Sequence, residues 1–578
     1  MEAIFSKKRR EILQLTGGLA VGIGTTGCCS MRGMSGSFIE GPPLGGESIR
    51  PILKPQQISK HHKPATYCLD VHAHFFNASD VNVKGYLKQC VAHTIESDSL
   101  RRFVEHISGL VDDLVEIAPQ AAFEYKFLQG MMSSPELLSV DTRSSALDSL
   151  ANVERRKLAK TLFKEMQARN LGEEFKALSR EHAIQRGLSP DKKVVNEFSE
   201  ETVRQALDPA LRAEKYIEIY GNTRATSTIQ NSEPGGILEF VGHMLSYRWM
   251  SLRSYEKYYT EQNDAFGIDG VFSALVDFDY FLDCFPRSSR EDQAKLHSLL
   301  SSMSGGYMLP LIGYNPWTDI KHPGTSLALV KRAVENYGFV GVKIYPPIGY
   351  LPYGNQELQK PKHQQQPNPK ELDERLFELF EWCAKNGVPV MSHTGESMGR
   401  DDDADEFPRP EGWEKLLKKF ENRNPPTINA GHFGGDNSKD EKNHPNNWPM
   451  RFAEIAGTHG GSNFYGDLGY WSSLTECDGK RKCDIALERL KAALQVNPKI
   501  TERIMFGTDW FMLSKEPGWM KYPCRLAKNL KGILPPEELF YRNALRCFGL
   551  APGGAQRERI LQRFSRIPGG APAWLLAA

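Results

Sequence analysis

Short apolar runs alternate with polar or helical stretches along the second half of the chain. A short apolar run bounded by polar or turn residues is typical of a buried strand, so each run predicts one strand. The runs are GVFSALVDFDY from residue 270, GYMLPLIGYNP from 306, FVGVKIYPP from 339, VPVMSHTGE from 388, PTINAGHFGG from 426, NFYGDLGYW from 463 and RIMFGTDWF from 503. With YCLDVHAHFFN at residues 67–77 they make eight strands alternating with helices, which predicts a (β/α)8 TIM barrel of the α/β class.

The apolar spacing is different between the first predicted strand and the second. Residues 78–265 repeat apolar positions every three or four residues, as in VERRKLAKTLFKEMQARN from residue 153, which is the spacing of amphipathic helices. This segment is interpreted as a large helical insertion between strands 1 and 2. Residues 67–77 and 266–551 then approximate the usual barrel length of about 250 residues. A doubly wound open sheet is the alternative, but no GxGxxG follows an early strand.

Both ends of the chain differ from the barrel in composition. Residues 1–30 combine a basic cluster containing Arg9 and Arg10, a weakly apolar stretch and small residues before Cys28, and they resemble a twin-arginine export signal. The apolar stretch is too short and too rich in glycine to span a bilayer. Residues 31–66 read as a linker and residues 552–578 as a C-terminal tail. We therefore predict an exported, periplasmic protein, with lipid attachment at Cys28 or a cytoplasmic location as alternatives.

Composition and charge narrow the class of partner. Hydrophobic residues make up 40% of the 578 positions and charged residues 25%, which are ordinary globular proportions. Lysine and arginine total 72 against 71 acidic residues, so the net charge of +1 favours neither nucleic acid nor an anionic membrane surface. A small-molecule substrate fits better, and a homo-oligomer is open.

The ten cysteines do not form a metal-binding pattern. No CxxC pair occurs, which argues against a thiolate zinc cluster. Cys477 and Cys483 are close enough in sequence to close a small disulfide loop after export, and two free thiols are the alternative.

Candidate chemistry lies late in the predicted strands. Active sites of (β/α)8 barrels lie at the carboxyl ends of the strands, and positions i and i+2 of a strand share a face, so His72 and His74 should converge there. On strand four, Lys343 should point inward, because Val342 and Ile344 form the apolar pattern that helices cover. The polar residues in such positions are His72, His74, Lys343, His393, His432 and Asp509.

The order of these motifs resembles the amidohydrolase superfamily. DVHAH on the first strand, GFVGVKIYPP on the fourth, SHTGE on the fifth, NAGHFGG on the sixth and GTDWF on the eighth are similar to that family, in particular to its amidohydrolase-related branch that includes aminocarboxymuconate semialdehyde decarboxylase. The resemblance covers the barrel only. It implies a divalent metal, usually zinc, held by His72, His74, His393 and Asp509, with His432 assisting the chemistry.

The ligand types are compatible with more than one reaction. Imidazoles and a carboxylate suit a borderline cation that lowers the pKa of bound water to about 7. Asp509 would accept the proton of that water and His432 would stabilise developing charge, so hydrolysis of an amide, ester or lactone is expected. A nonoxidative decarboxylase of a small carboxylic acid uses the same metal, and a non-catalytic exported binding protein is a third hypothesis.

The sequence leaves the roles of two further sets of basic residues open. Lys343 stands where binuclear superfamily members carry a bridging lysine, so one Zn²⁺ or two metals could bind. It could also pair with a substrate carboxylate or with Asp467. Arg248 and Arg253 lie close together before strand two and could meet an anionic substrate or form surface salt bridges.

Overall fold

The computed structural model describes the barrel and most of the helices before it. It covers residues 67–87, 98–133, 140–185, 198–208, 234–260, 267–282, 285–357, 367–395, 404–436, 447–475, 477, 481–516 and 519–578. The predicted export signal at residues 1–30 and the linker at 31–66 lie outside the described residues, so export stays a prediction. Within the described residues, no helix is long and apolar enough to span a membrane.

Eight parallel strands form one sheet in the order in which they occur along the chain. The sheet closes on itself because the amide of Val71 donates to the carbonyl of Phe506 (3.0 Å) and the amide of Asp509 donates to the carbonyl of His72 (2.6 Å). The predicted (β/α)8 barrel is therefore confirmed. The strands are β1 (Leu69–Ala73), β2 (Gly270–Ala274), β3 (Met308–Gly313), β4 (Gly341–Ile344), β5 (Val390–His393), β6 (Ile428–Gly431), β7 (Phe464–Asp467) and β8 (Ile504–Met505).

The first strand departs from regular alternation. Its pairing with β2 shifts register between Asp70 and Ala73. Leu69 and Val71 pack in an apolar cluster separate from the one that contains Ala73. The irregularity includes His72 and directly precedes His74, and such bulges commonly re-aim side chains.

The described residues between β1 and β2 form helices. Their bounds are α1 (Val83–Tyr86), α2 (Asp98–Leu114), α3 (Ala121–Ser133), α4 (Val140–Ala168), α5 (Leu171–Gln185), α6 (Glu200–Ala206), α7 (Pro234–Leu245) and α8 (Arg248–Thr260). On α2 the residues Phe103, Val104, Ile107 and Val111 are buried, which is the three- and four-residue spacing of an amphipathic helix.

Helices also connect the remaining strands. They are α9 (Arg290–Met303), α10 (Pro316–Lys321), α11 (Thr325–Asn336), α12 (Pro369–Asn386), α13 (Pro410–Lys419), α14 (Trp448–Gly457), α15 (Arg481–Val496), α16 (Tyr522–Asn529) and α17 (Asn543–Cys547). The bounds of α12 follow from its sequence, because the Asn368 side chain accepts the amide of Lys370, proline occupies the first turn and Gly387 (φ 61°) ends the helix in the left-handed region.

The C-terminal residues cover the amino-terminal ends of the strands. Helices α18 (Arg557–Ser565) and α19 (Ala573–Leu576) follow the barrel, and Trp574 and Phe564 are buried among its apolar side chains. The side-chain amide of Gln556 donates to the carbonyl of Val340 (2.7 Å) just before β4. Residues 552–578, predicted as a tail, are thus helical and closed over the end of the barrel opposite the candidate site.

A buried ion cluster ties the helices before β2 to the end of β1. The Arg248 guanidinium at the start of α8 donates to Asp80 (Nε to Oδ2, 2.7 Å) and to Glu124 on α3 (Nη1 to Oε2, 2.9 Å), and all three side chains are at most 1% exposed. Arg253 pairs with Asp148 and Glu256. Both arginines therefore have carboxylate partners. The sequence analysis expected such salt bridges at the surface, but that of Arg248 lies in the interior.

The sulfurs of Cys477 and Cys483 are joined in a disulfide between β7 and α15. Of the two alternatives that the sequence left open for this pair, the disulfide is therefore present and the two free thiols are not.

His297 on α9 should make stability depend on pH. Burial lowers the pKa of His297 to about 4, so below the pKa of a free histidine the unfolded chain takes up a proton that the folded chain does not. Folding stability is then lost as the pH falls from about 6.5 to about 4. We expect wild type to lose about 2 kcal/mol between pH 7 and pH 5 from this group.

The measurement is denaturant unfolding of wild type and His297→Leu at both pH values. The variant should lack this part of the pH dependence. An equal loss of stability in the two proteins would show that His297 does not carry it.

Candidate metal centre

The six polar residues predicted to lie late in the strands come together at the carboxyl end of the barrel. His72 lies in β1, Lys343 in β4 and His393 ends β5, whereas His74, His432 and Asp509 follow the ends of β1, β6 and β8. Each is buried, with exposed fractions from 0% for His72 to 8% for Asp509. Five strands of the barrel thus supply one cluster of ionisable groups.

Asp509 lies close to both first-strand histidines. Its Oδ1 lies 3.2 Å from Nε2 of His74 and 3.6 Å from Nε2 of His72. Among the described residues, His72, His432 and Asp509 form a group whose ligand atoms all lie within 4.8 Å of one another. Nitrogen and carboxylate donors at this spacing are of the types that bind zinc and similar divalent cations.

The other ring nitrogen of each first-strand histidine is held by an acceptor. Nδ1 of His74 donates to the carbonyl of Ala274 on β2 (2.8 Å), and Nδ1 of His72 donates to Oδ1 of Asp467 on β7 (3.0 Å). These contacts turn Nε2 of both rings toward Asp509. Metal-binding histidines are commonly oriented by such partners.

Asp467 organises the site beyond its bond to His72. Its carboxylate accepts the side-chain amide of Asn429 (2.9 Å) and the backbone amides of His432 (3.1 Å) and Gly469 (2.9 Å). The sequence indicated Asp467 only as a partner for Lys343. Its position at the end of β7 was the available signal, but the contact with His72 depends on barrel closure.

His393 and His432 form a second pair of histidines, and the ring of His432 also lies 4.6 Å from that of His72. Nε2 of His432 lies 3.1 Å from Nδ1 of His393, while Nδ1 of His432 donates to the carbonyl of Gly469 (2.9 Å). Nε2 of His393 is buried and has no hydrogen-bond partner among the described residues. The tight group around Asp509 contains His432, whereas the sequence expected His393 as the ligand and His432 as its neighbour.

Close packing around His72 requires glycine. A Cβ added at Gly469 would lie 2.8 Å from Nδ1 of His72, and one added at Gly507 would lie 2.9 Å from its Cβ. His432 (φ 68°), Phe433 (φ 42°) and Asp509 (φ 56°) are also in the left-handed region, which is costly for residues with a side chain. Such strain is common where surrounding structure holds functional groups in place.

Electrostatics favour a neutral His72 and an ionised Asp509 at neutral pH. Burial lowers the pKa of His72 to about 3, although the Asp467 charge opposes the shift. Burial alone would raise the pKa of Asp509, but the hydrogen bond with His74 and the nearby His72 and His432 hold it well below its usual range. These are the protonation states that ligands to a cation require.

Lys343 lies against the same group. Its Nζ is 3.4 Å from Nε2 of His72, and the side chain is 2% exposed. Burial lowers the pKa of Lys343 to about 8, against the opposing charges of Asp467 and Asp509. The inward orientation predicted from the alternation of β4 is present.

The donor set fits a divalent cation. The oriented Nε2 atoms of His72 and His74 lie beside the ionised carboxylate of Asp509, and the same end of the barrel contains the buried Nε2 of His393, which has no hydrogen-bond partner among the described residues. Without a cation, the last of these atoms is a buried polar group lacking a hydrogen bond, which is unfavourable.

Comparison with protein families agrees with the motifs. The family model described as amidohydrolase matches residues 312–550, a range that runs from β3 to the end of the barrel and includes His393, His432 and Asp509. This part of the chain is an amidohydrolase-family domain. The predicted membership of the amidohydrolase superfamily is thereby confirmed. Among curated proteins, none matches the chain significantly.

Several solved structures are distantly similar to the amidohydrolase-family domain. An uncharacterised TIM-barrel protein from Bordetella bronchiseptica is 16% identical, with 53% of this chain and 83% of that chain covered and a TM-score of 0.32. A zinc-bound amidohydrolase from Burkholderia multivorans is 14% identical, with 49% and 83% covered and a TM-score of 0.32. A 2,6-dihydroxybenzoate decarboxylase is 15% identical, with 49% and 85% covered and a TM-score of 0.29. Likeness at this level says nothing about the substrate of this chain.

Proposed function

We propose that the protein is a metal-dependent hydrolase that cleaves an amide, ester or lactone bond of a small molecule. The observation that carries the proposal is that Nε2 of His72 and Nε2 of His74 both lie close to Oδ1 of Asp509. Nδ1 of each ring donates to an acceptor. A purely structural set of buried histidines would not need an ionised carboxylate 3.2 Å from one ring and 3.6 Å from the other. The amidohydrolase-family domain supports the same class of chemistry.

We propose that His72, His74, His393 and Asp509 hold one Zn²⁺, with His432 beside them. The unpartnered Nε2 of His393 supports its place in the set, and the short spacing of His432 to Asp509 supports a position next to the reacting atoms. A bound divalent cation supplies Lewis-acid activation of water at neutral pH.

The chain's own residues account for the movement of protons and the placement of charge. Asp509, ionised at neutral pH, accepts the proton of the attacking water through its carboxylate and returns it to the leaving group. His432, fixed through Nδ1 by the carbonyl of Gly469, donates from Nε2 when both of its ring nitrogens are protonated, and then stabilises negative charge that develops on the substrate oxygen. Lys343 adds positive charge beside His72 when protonated.

Metal analysis tests the ligand assignment. Wild type should contain roughly one zinc-like ion per chain. His74→Ala should bind the ion at least about 100-fold more weakly, because a direct ligand contributes more than the outer contacts whose loss alone costs up to that factor. The measurement is elemental analysis and metal titration of purified, metal-supplemented protein.

His106→Ala provides the matched control. His106 is an exposed histidine on α2 that pairs with Glu174, so its replacement should leave metal content unchanged. Full occupancy in His74→Ala would refute the ligand assignment, and wild type without metal after supplementation would refute the metal-dependent function.

Isotope labelling separates hydrolysis from the alternative reaction. Metal-loaded enzyme screened on lactones, amides and esters in ¹⁸O water should place the label in the product. Release of carbon dioxide from a carboxylic acid, with solvent hydrogen incorporated at carbon, would instead identify a decarboxylase.

A further inference from the structure

Lys515 is a buried lysine outside the metal centre, and it has no carboxylate partner among the described residues. Lys515 ends a short 3₁₀ turn (Leu513–Lys515) that follows Asp509 after β8, and its side chain is 8% exposed. Within the described part of the chain, its Nζ forms no ion pair and no side-chain hydrogen bond. The adjacent carboxylate of Glu516 instead accepts the hydroxyl of Tyr470 (2.6 Å).

Such a position is unfavourable for an ammonium group in the absence of a ligand. Burial lowers the pKa of Lys515, and the charges of Glu516 and Asp509 act in the opposite direction. A buried lysine is normally compensated by a partner or used for a task, and no partner is present in the described residues.

Aromatic rings connect the metal centre to this ammonium. The ring of His74 lies 5.8 Å from that of Phe76, which lies 5.2 Å from Phe511, which lies 5.7 Å from Phe240 on α7. Nζ of Lys515 is 5.8 Å from the ring centre of Phe240. Phe76, Phe511 and Phe240 therefore form an aromatic wall that begins at the candidate metal ligand and ends at the lysine.

This wall is built by distant parts of the chain. Phe76 follows β1, Phe511 follows β8, and Phe240 comes from the helices between β1 and β2. Pockets that bind small organic molecules are mostly apolar and aromatic, with a few polar groups that fix orientation. A lysine at the end of an aromatic wall is suited to a ligand with an apolar body and an anionic end.

We infer that Lys515 is a specificity-determining residue that pairs with the carboxylate of an organic acid substrate whose apolar body lies along the aromatic wall. The inference rests on the proposed function and names the class of substrate that the metal centre would act on. Lys515 holds the acid group at one end of the aromatic wall, and the bond to be cleaved lies toward His74 and Asp509. The lysine takes no part in bond cleavage.

Binding of two probes of equal shape tests the inference. Benzoate and benzamide differ mainly in charge, and their affinities are measured by calorimetry on metal-loaded protein. Wild type should prefer benzoate by about tenfold or more, which is the effect expected of a charge-assisted pair in a partly dry site. Lys515→Met should lose that preference, and Lys515→Arg should retain part of it.

Lys521→Met is the matched control, since Lys521 is an exposed lysine six positions further along the chain and its loss should not change either affinity. Repeating the titrations after chelation separates attraction by Lys515 from attraction by the metal. If the melting curve of Lys515→Met shows that it does not fold, the affinities of Lys515→Gln for benzoate and benzamide are measured in its place. Lys515→Gln should likewise lose the preference for benzoate.

The outcomes distinguish this inference from the proposed function. A wild-type preference for benzoate that is unchanged in the Lys515 variants, or no preference in wild type, would overturn the inference even if the enzyme holds metal and turns over. A Lys515-dependent preference in protein that never binds metal would support the anion site and refute the metal-dependent function.

Discussion

Asp509→Asn is expected to lower turnover by about 10³-fold with little effect on folding. The amide keeps the shape of the side chain but can neither accept the proton of water nor carry the negative charge that His72 and His74 face. The loss should appear in kcat, because proton transfer is needed in the transition state and not for binding of substrate. The assay uses the best substrate from the screen, with metal content and circular dichroism measured on the same preparation.

A control carboxylate shows whether the effect is specific. Asp113 lies at the surface and pairs with Arg169, so Asp113→Asn should retain wild-type turnover. Turnover of Asp509→Asn within about threefold of wild type would contradict the assigned role. If Asp509→Asn loses metal together with turnover, Asp509 is a metal ligand. Its role in proton transfer is then measured by assaying the variant after metal has been restored at high concentration.

Arg248→Met is expected to destabilise the protein by about 3–5 kcal/mol. The change removes the cation between Asp80 and Glu124 and leaves two buried carboxylates without it, since both side chains are at most 1% exposed. The free energy is measured by denaturant unfolding monitored by tryptophan fluorescence, because Trp249 is buried beside Arg248.

A double replacement separates charge from packing in this cluster. Asp80→Asn added to Arg248→Met should recover part of the stability, because one unpaired buried charge is removed. Arg204→Met on α6 breaks an exposed ion pair with Glu201 and should change stability by no more than about 0.5 kcal/mol. An Arg248→Met variant as stable as Arg204→Met would show that the cluster contributes little.

The buried Arg248 cluster also shows how the helices before β2 can influence the site without touching the metal ligands. Asp80 lies six residues after His74, so the same cluster that anchors α3 and α8 holds the chain that leaves β1. The hydroxyl of Tyr255 on α8 donates to Asp70 (2.5 Å), which also accepts the amide of Thr508 next to Asp509 (3.0 Å). Helix α8 and the two loops of the site are therefore connected by hydrogen bonds.

Strand number, strand order and the identity of the six polar residues were predictable because their signals are local. Apolar runs mark strands, alternation directs Lys343 inward, and the carboxyl ends of parallel strands share one end of a barrel. These regularities depend on a few neighbouring residues at a time. They placed His72, His393 and Asp509 near one another without any knowledge of packing.

Contacts between distant segments could be decided only by the tertiary structure. Asp467 orients His72 across 395 positions of sequence, and the register shift in β1 and the left-handed backbone of His432 and Asp509 set which atoms converge. The sequence could not show which of His393 and His432 lies nearer to Asp509, since the two residues come at the ends of neighbouring strands. Nor could it show that Arg248 has buried partners while Lys515 has none among the described residues, because burial and pairing are properties of the packed chain.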